Sequence, residues 1–349
     1  MTSTDGQRTA SMRADRTMLA VLAVMSALAG IAFLGLAVQR IGYPHEFEWM
    51  EGALVDHAAR FAEGKPIYCP PGPEHVPFLY APLLFWLGGI AIQCGIGGLF
   101  ALRAIAAVCS IGVAMLIGHQ VRRETGRVAI GLVASGLFLA GYGWLAWWYD
   151  LARNDSLFLL LTIGCAYQLR HGGRRRWLWA ALLAAAAVLA KQSALMWLPA
   201  IGVAALIQDW RTGAKFALAG VAAIAASLGS LHWATDGWST FYLFEMPSKH
   251  TIDGAQKLAF WLHDMPTMVP LLVLGVVGFA AACRGGGARA ALALAAFGAG
   301  GLLTSWLSRL HVGGFDNVLM YGFAAACCSA RVRWAHCGRR CVASSRRWP

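Results

Sequence analysis

Apolar positions along the chain run in long blocks, and the polar positions that separate them are few and clustered. A helix needs about 20 consecutive apolar residues to cross roughly 30 Å of hydrocarbon, and several blocks approach that length. Runs such as the alanine- and leucine-rich stretch 180–190 show no period-two alternation, which excludes the short strands of a membrane β-barrel. The pattern predicts spans at 18–38, 104–121, 128–148, 156–169, 177–190, 194–208, 216–234, 267–283, 290–307 and 318–330, about ten in all. The expected class is all-α, a polytopic membrane helix bundle.

Two of these boundaries follow from charge. The block Leu83–Gly98 is also apolar, but counting it as a crossing would move Arg122, Arg123, Arg127 and Arg170, Arg174, Arg175, Arg176 to the outside, against the orientation bias of basic residues. It is therefore expected to be an interfacial or re-entrant helix. Trp177–Ile207 must likewise be a hairpin, with its turn at Lys191 and Gln192, because a single helix would put Arg176 and Arg211 on opposite sides. The N-terminus, with Arg8, Arg13 and Arg16 ahead of the first block, is expected in the cytoplasm, and the first block is too long for a signal-peptide core.

Composition strengthens this picture. The chain is 58% apolar and 13% charged, with a mean hydropathy of +0.56, so a soluble domain would lack polar cover for its surface. The net charge of +12 comes from arginines clustered between apolar blocks, which fits membrane orientation and excludes a nucleic-acid groove. Most of the nine cysteines, among them Cys94, Cys109, Cys165, Cys283, Cys327 and Cys328, lie in apolar blocks as small packing residues. Cys69 stands alone in the first loop, so no disulfide framework is expected, and the Cys337–Cys341 pair has no second pair to complete a metal site. Acidic residues played no part in choosing the topology. Of the 17 present only Asp5, Asp15, Glu124 and Asp209 fall inside. A functional outer surface is the economical explanation.

The first outer loop, about 39–82, contains Glu46, Glu48, Glu51, Asp56, Glu63 and Glu74. Between Phe47 and Glu63 it is amphipathic, with Phe47, Met50, Leu54, Val55, Ala58 and Phe61 on one arc. Glu51 falls inside that arc, where desolvation would raise its pKa and make it a better proton acceptor. The plainer reading pairs it with Arg60 or a backbone amide. The segment Tyr149–Asp155 sets two carboxylates around Arg153; it either pairs locally, with Asp155 capping the next helix, or binds something. Lys191 lies about 14 residues, roughly 21 Å, from Arg176, which leaves it below the outer surface, either snorkelling or meeting a lipid phosphate. The segment Ser308–Asn317 offers Arg309, His311, Asp316 and Asn317 around Gly313–Gly314, suited to an anionic or hydroxylated ligand, or to a plain turn. The loop 235–266 is long enough to form a lid.

Several of these segments together resemble the GT-C integral-membrane glycosyltransferases, nearest the protein O-mannosyltransferase and lipid A aminoarabinose transferase branch, glycosyltransferase family 39. The resemblance rests on Phe47-Glu48-Trp49-Met50-Glu51-Gly52, Gly64-Lys65-Pro66-Ile67-Tyr68 and Pro77-Phe78-Leu79-Tyr80-Ala81-Pro82-Leu83. Arg103, Arg153-Asn154-Asp155 and Lys191-Gln192 follow in the family's order, so that it covers roughly residues 17–210. It implies juxtamembrane helices in the first outer loop, 39–103, within a transmembrane module at 1–330, and a site facing away from the cytoplasm at the cell's inner membrane. It implies Glu51 as catalytic base, with Glu48 as the alternative because Met50 stands where the family often has an acid, and Asp155 as a second outer acid. Arg103, Arg153 and Lys191 would hold the phosphate of a polyprenyl-linked sugar, with Tyr80, Arg309, His311, Asp316 and Asn317 toward the substrate. The implied activity is inverting transfer of a hexose or pentose to a lipid, glycan or protein acceptor. No cofactor is implied, a divalent metal being left open, and no nucleic-acid partner. The chain departs from the family in its arginine- and cysteine-rich 331–349, where a basic cytoplasmic tail and an atypical or shortened C-terminus are expected. The rival readings are a transporter or lipid flippase, which would need polar groups running through the bundle, and a scaffold of the same fold.

Overall fold

The computed structural model describes residues 3–266 and 287–329 together with Val273, Val276 and Ala280. The span expected at 267–283 lies outside the described residues apart from those three, as do the tail 331–349 and its Cys337–Cys341 pair. Among the described residues regular structure is helical, with no strand.

A long first helix, α1 (Ser3–Ile41), leads into a loop that folds its own two helices, α2 (Glu51–Ala62) and α3 (Leu83–Gln93). There follow α4 (Gly98–Thr125), α5 (Val128–Ala140), α6 (Asp155–His171), α7 (Arg176–Ala190), α8 (Ala194–Gln208) and α9 (Trp210–Ala234). After two short helical runs at 238–248 and 254–266 the described chain closes with α10 (Gly287–Arg309) and α11 (Leu319–Ser329). The windows 16–41, 98–125, 210–234 and 287–309 are long and apolar enough to cross a membrane, and α3, α5, α7 and α8 are shorter apolar helices. The windows in α1 and α9 are only 11% buried within the protein, which leaves their apolar sides for lipid. The chain is a multi-pass membrane protein.

The short third helix meets the expectation for the block beginning at Leu83: eleven residues rise about 16 Å, too little to cross. It lies on α2 in close contact. A Cβ on Gly88 would come within 2.4 Å of Leu102, and one on Gly89 within 2.5 Å of Phe61 and 2.7 Å of the Ala58 carbonyl. The hairpin at Lys191 also forms, with α7 ending at Ala190 and α8 starting at Ala194.

The block 128–148 differs from expectation, since α5 stops at Ala140. Gly141 and Gly143 weaken the helix, and Ala146 and Trp147 take left-handed backbone at φ 51 and 64. The chain thereby turns inward at the 3₁₀ segment Trp148–Asp150. Tyr149 gains full burial, stacked on Phe138 at 4.6 Å and donating from its hydroxyl to the Phe138 carbonyl at 2.9 Å.

Chain direction brings the end of α1, the first loop, the starts of α4 and α6, the Lys191 turn and the α10–α11 connection to one end of the bundle. The loop 235–266 joins them: the Asp253 amide donates to the Leu310 carbonyl and the Val312 amide to the Thr251 carbonyl. The arginine clusters gather at the other end. There Gly126, at φ 71, caps α4, and Asp209 caps α9 by accepting from the Arg211 and Thr212 amides. Arg176 bonds Asp209 at 2.9 Å, and Arg170 bonds Glu124.

Candidate functional site

Two carboxylates of the first loop, three residues apart, take up opposite situations. Glu51 opens α2 and is fully buried. Its Oε1 accepts from Arg103 Nε at 2.9 Å and the Ala152 amide at 2.8 Å; its Oε2 accepts from Arg103 Nη2 at 2.6 Å and the Phe47 amide at 2.7 Å. Arg103, also fully buried, sends its remaining donors to the carbonyls of Arg40 at 3.1 Å, Tyr43 at 2.7 Å and His45 at 2.7 Å. A guanidinium has five N–H groups, and here each has a protein partner. The knot ties the end of α1, the first loop, α4 and the segment before α6 together.

Two sequence-based expectations are corrected here. Burial alone would push the Glu51 carboxyl up, but hydrogen bonds from Arg103 and the Ala152 and Phe47 amides outweigh it and hold the group below the usual carboxylate range. Its oxygens are saturated, so it is a poor proton acceptor, and Arg103 has no N–H left for a phosphate. Of the two plainer partners, Glu51 takes the backbone amides of Phe47 and Ala152 and not Arg60, which donates to the Pro66 carbonyl at 2.7 Å.

Glu48 sits on the approach to α2 and is bonded on one side only. Its Oε2 accepts from Arg153 Nη1 at 2.9 Å and from the Met50 amide at 3.2 Å, while Oε1 is buried and unpartnered. Burial pushes this carboxyl above the usual range in spite of Arg153 beside it. The proton affinity expected of Glu51 thus belongs to Glu48.

Arg153 turns away from its sequence neighbours. Besides Glu48 it donates to the Tyr80 hydroxyl at 2.7 Å, its guanidinium lies 5.2 Å from the Tyr80 and Trp148 ring centres, and its Nε is unpartnered. The local pairing expected of Asp150 and Asp155 does not form: Asp150 takes Arg40 at 2.8 Å, and Asp155 takes Lys191 at 2.6 Å. Lys191 is therefore not a snorkelling residue. It is buried, with its ammonium 6.0 Å from the Tyr80 ring centre and 5.5 Å from that of Tyr321. Asp155 Oδ1 also accepts from Asn317 Nδ2 at 3.1 Å and the Tyr321 hydroxyl at 2.7 Å, whereas Oδ2 is buried and free of partners.

Tyr80 stands between these cations because its strand of loop is pinned three times. The Phe78 amide donates to His57 Nε2 at 2.8 Å, Gln192 donates to the Leu79 carbonyl at 2.6 Å, and the Tyr68 hydroxyl donates to the Tyr80 carbonyl. His57 in turn bonds the Ala53 carbonyl through Nδ1 at 2.7 Å, so its two partners require the neutral ring. Burial lowers its pKa to about 4.

The structure thus brings together Glu48, Tyr80, Arg153, Asp155, Lys191 and Asn317, with Glu51 and Arg103 immediately beneath as a brace. Arg309, His311 and Asp316 are not in this cluster. Arg309 bonds Asp264 at 2.8 Å and faces Asp316 at 3.5 Å, and His311 bridges backbone to Ile252, so these residues seat the loop 235–266. Sequence reasoning missed Tyr321, hidden in an apolar block. Its signal was position, four residues after Asn317 and so on the same side of the helical turn.

No family model and no curated protein sequence matches the chain. Its three-dimensional structure does match the crystal structure of ArnT from Cupriavidus metallidurans bound to undecaprenyl phosphate, with a TM-score of 0.58 at 13% sequence identity. The match covers 87% of this chain and 59% of that one, so this chain spans less than two thirds of that protein's length. This multi-pass helical chain therefore shares the fold of that membrane protein over most of its own length.

Proposed function

We propose that the chain is a glycosyltransferase at the extracytoplasmic face of the inner membrane, moving a hexose or pentose from a polyprenyl-phosphate carrier to a hydroxyl of a lipid, glycan or protein. One observation carries the reading: Glu48, Arg153, Asp155 and Lys191, from three segments of the chain, meet in a single buried cluster whose carboxylates keep unpartnered oxygens. Buried oxygens without partners are costly unless something else supplies a donor. The likeness to a protein whose structure holds undecaprenyl phosphate supports a lipid phosphate as that partner's carrier.

In the proposed reaction Glu48 accepts the proton of the acceptor hydroxyl. The freed oxygen forms a bond to the anomeric carbon from the side opposite the carrier, and the bond from that carbon to the phosphate oxygen breaks with its electron pair, inverting the configuration. Arg153 and Lys191 offset the negative charge that grows on the departing phosphate. Asp155 positions Lys191, and Tyr80 and Asn317 line the substrate. In this reading 39–103 carries the base and 235–266 covers the site.

The test is transfer from a radiolabelled polyprenyl-phosphate sugar by the purified chain. Glu48→Gln should lower the rate by about 10²- to 10⁴-fold, the usual contribution of a general base, while the protein remains folded. A folded Glu48→Gln protein working at the wild-type rate discards the assignment.

A further inference from the structure

The four cations in and directly beneath the cluster each already hold a carboxylate. Arg153 holds Glu48 at 2.9 Å, Lys191 holds Asp155 at 2.6 Å, Arg103 holds Glu51 at 2.6 Å and Arg40 holds Asp150 at 2.8 Å. Glu48, Arg153, Asp155 and Lys191 therefore sum to no formal charge, and an arriving phosphate would add a buried negative charge that no unpaired cation among these four balances. The two pairs around Tyr80 are not built alike. Asp155 is fixed by three donors on one oxygen, from Lys191, Asn317 and Tyr321, on two different segments. Glu48 has only Arg153 and one amide, at 3.2 Å, and is the more exposed of the two, with 12% of its side chain accessible against none for Asp155. Arg153 is far better held than its partner: the Tyr80 hydroxyl and the Tyr80 and Trp148 rings keep it in place whether or not Glu48 stays.

We propose that Glu48 and the carrier's phosphate compete for one edge of Arg153, so that phosphate binding displaces the Glu48 carboxylate and thereby releases the base for the acceptor. The inference rests on the transferase reading above and adds an order of events to it. While Glu48 pairs with Arg153, one carboxylate oxygen is engaged and its charge is partly neutralised. Once phosphate takes the guanidinium edge, Arg153 trades one anion for another, and both Glu48 oxygens become available for a proton. Carrier binding then precedes and enables proton removal, and a bound acceptor meets an active base only when a donor is in place.

The competition has a signature that a plain ligand-binding or structural role for Glu48 lacks. Binding of undecaprenyl phosphate to the purified full chain would be measured beside undecaprenol, which lacks the phosphate. Glu48→Gln should bind undecaprenyl phosphate about three- to tenfold tighter than the wild type, leave undecaprenol unchanged and lose transfer. Arg153→Gln should weaken phosphate binding, and in that background Glu48→Gln should change affinity less than about twofold, because the contested partner is gone. Should Glu48→Gln fold poorly, Glu48→Asp, which draws the carboxylate back by one methylene, should still tighten binding, by a smaller factor. Equal or weaker phosphate binding by folded Glu48 variants overturns the competition while leaving the transferase reading intact. Failure of the wild type to bind undecaprenyl phosphate overturns both.

Discussion

Glu51–Arg103 and Glu48–Arg153 are the same chemical pair, with both carboxylates from one short loop, and they differ in how completely each is satisfied. In the first, four hydrogen bonds close the carboxylate and five close the guanidinium, at zero exposure. In the second, one carboxylate oxygen and Arg153 Nε have no protein partner. A saturated buried pair has nothing left to offer a ligand, so its contribution is to the fold; an unsaturated one keeps capacity for chemistry at a cost in stability.

The largest effect expected from this contrast is on folding. Removing one member of the closed pair, by Arg103→Ala or Glu51→Ala, strands the other charge in the interior and frees three backbone carbonyls or two amides. A loss of about 3–5 kcal/mol is expected, enough to abolish monodisperse protein in detergent, as read by size exclusion and thermal unfolding. Glu48→Gln and Arg153→Gln should shift unfolding far less and activity far more. If instead Arg103→Ala is as stable as the wild type but inactive, the division between brace and site is wrong.

Next in size is an effect of pH on the loop that carries Glu48. His57 is held neutral, with its pKa down at about 4, and the ring must accept from the Phe78 amide that pins Tyr80's segment. A histidine whose pKa is lower folded than unfolded contributes stability that is present above the unfolded value near 6.5 and is lost as pH falls toward 4. The full contribution is about 3 kcal/mol, so the melting temperature should fall steadily between pH 7 and pH 4.5. His57→Gln should remove most of that slope. Glu51, with its pKa lowered, adds a further loss only below the carboxylate range. An unchanged slope in His57→Gln would show that other groups carry the acid sensitivity.

How far these regions could be read beforehand follows from the range of each interaction. Apolar block lengths and arginine clusters act over one helix at a time, so most of the described helices, the short α3 and the turn at Lys191 could be read directly from them. The break after Ala140 could not, because Tyr149 earns its burial against Phe138 only once both are packed. Partner choice was least accessible. Spacing offered Arg60 to Glu51 and Asp150 or Asp155 to Arg153, all within nine residues. The structure instead joins 51 to 103 and 48 to 153 through the path of a loop that no local rule describes.

The smallest effect tests where the site stops. Asn317 and Arg309 come from the same connection, yet Asn317 donates to Asp155 while Arg309 serves Asp264 and Asp316 at the loop 235–266. Asn317→Ala removes one of three donors from a buried carboxylate, so a loss of about 1–2 kcal/mol in transition-state stabilisation, roughly five- to thirtyfold in rate, is expected. Arg309→Ala breaks partly solvated pairs that are worth no more than about 1 kcal/mol and touches nothing in the cluster, so transfer from the polyprenyl-phosphate sugar should fall less than about threefold. A reversed ranking would mean that Arg309 meets the substrate through the loop it anchors, and the boundary drawn around Tyr80 would have to move outward to include it.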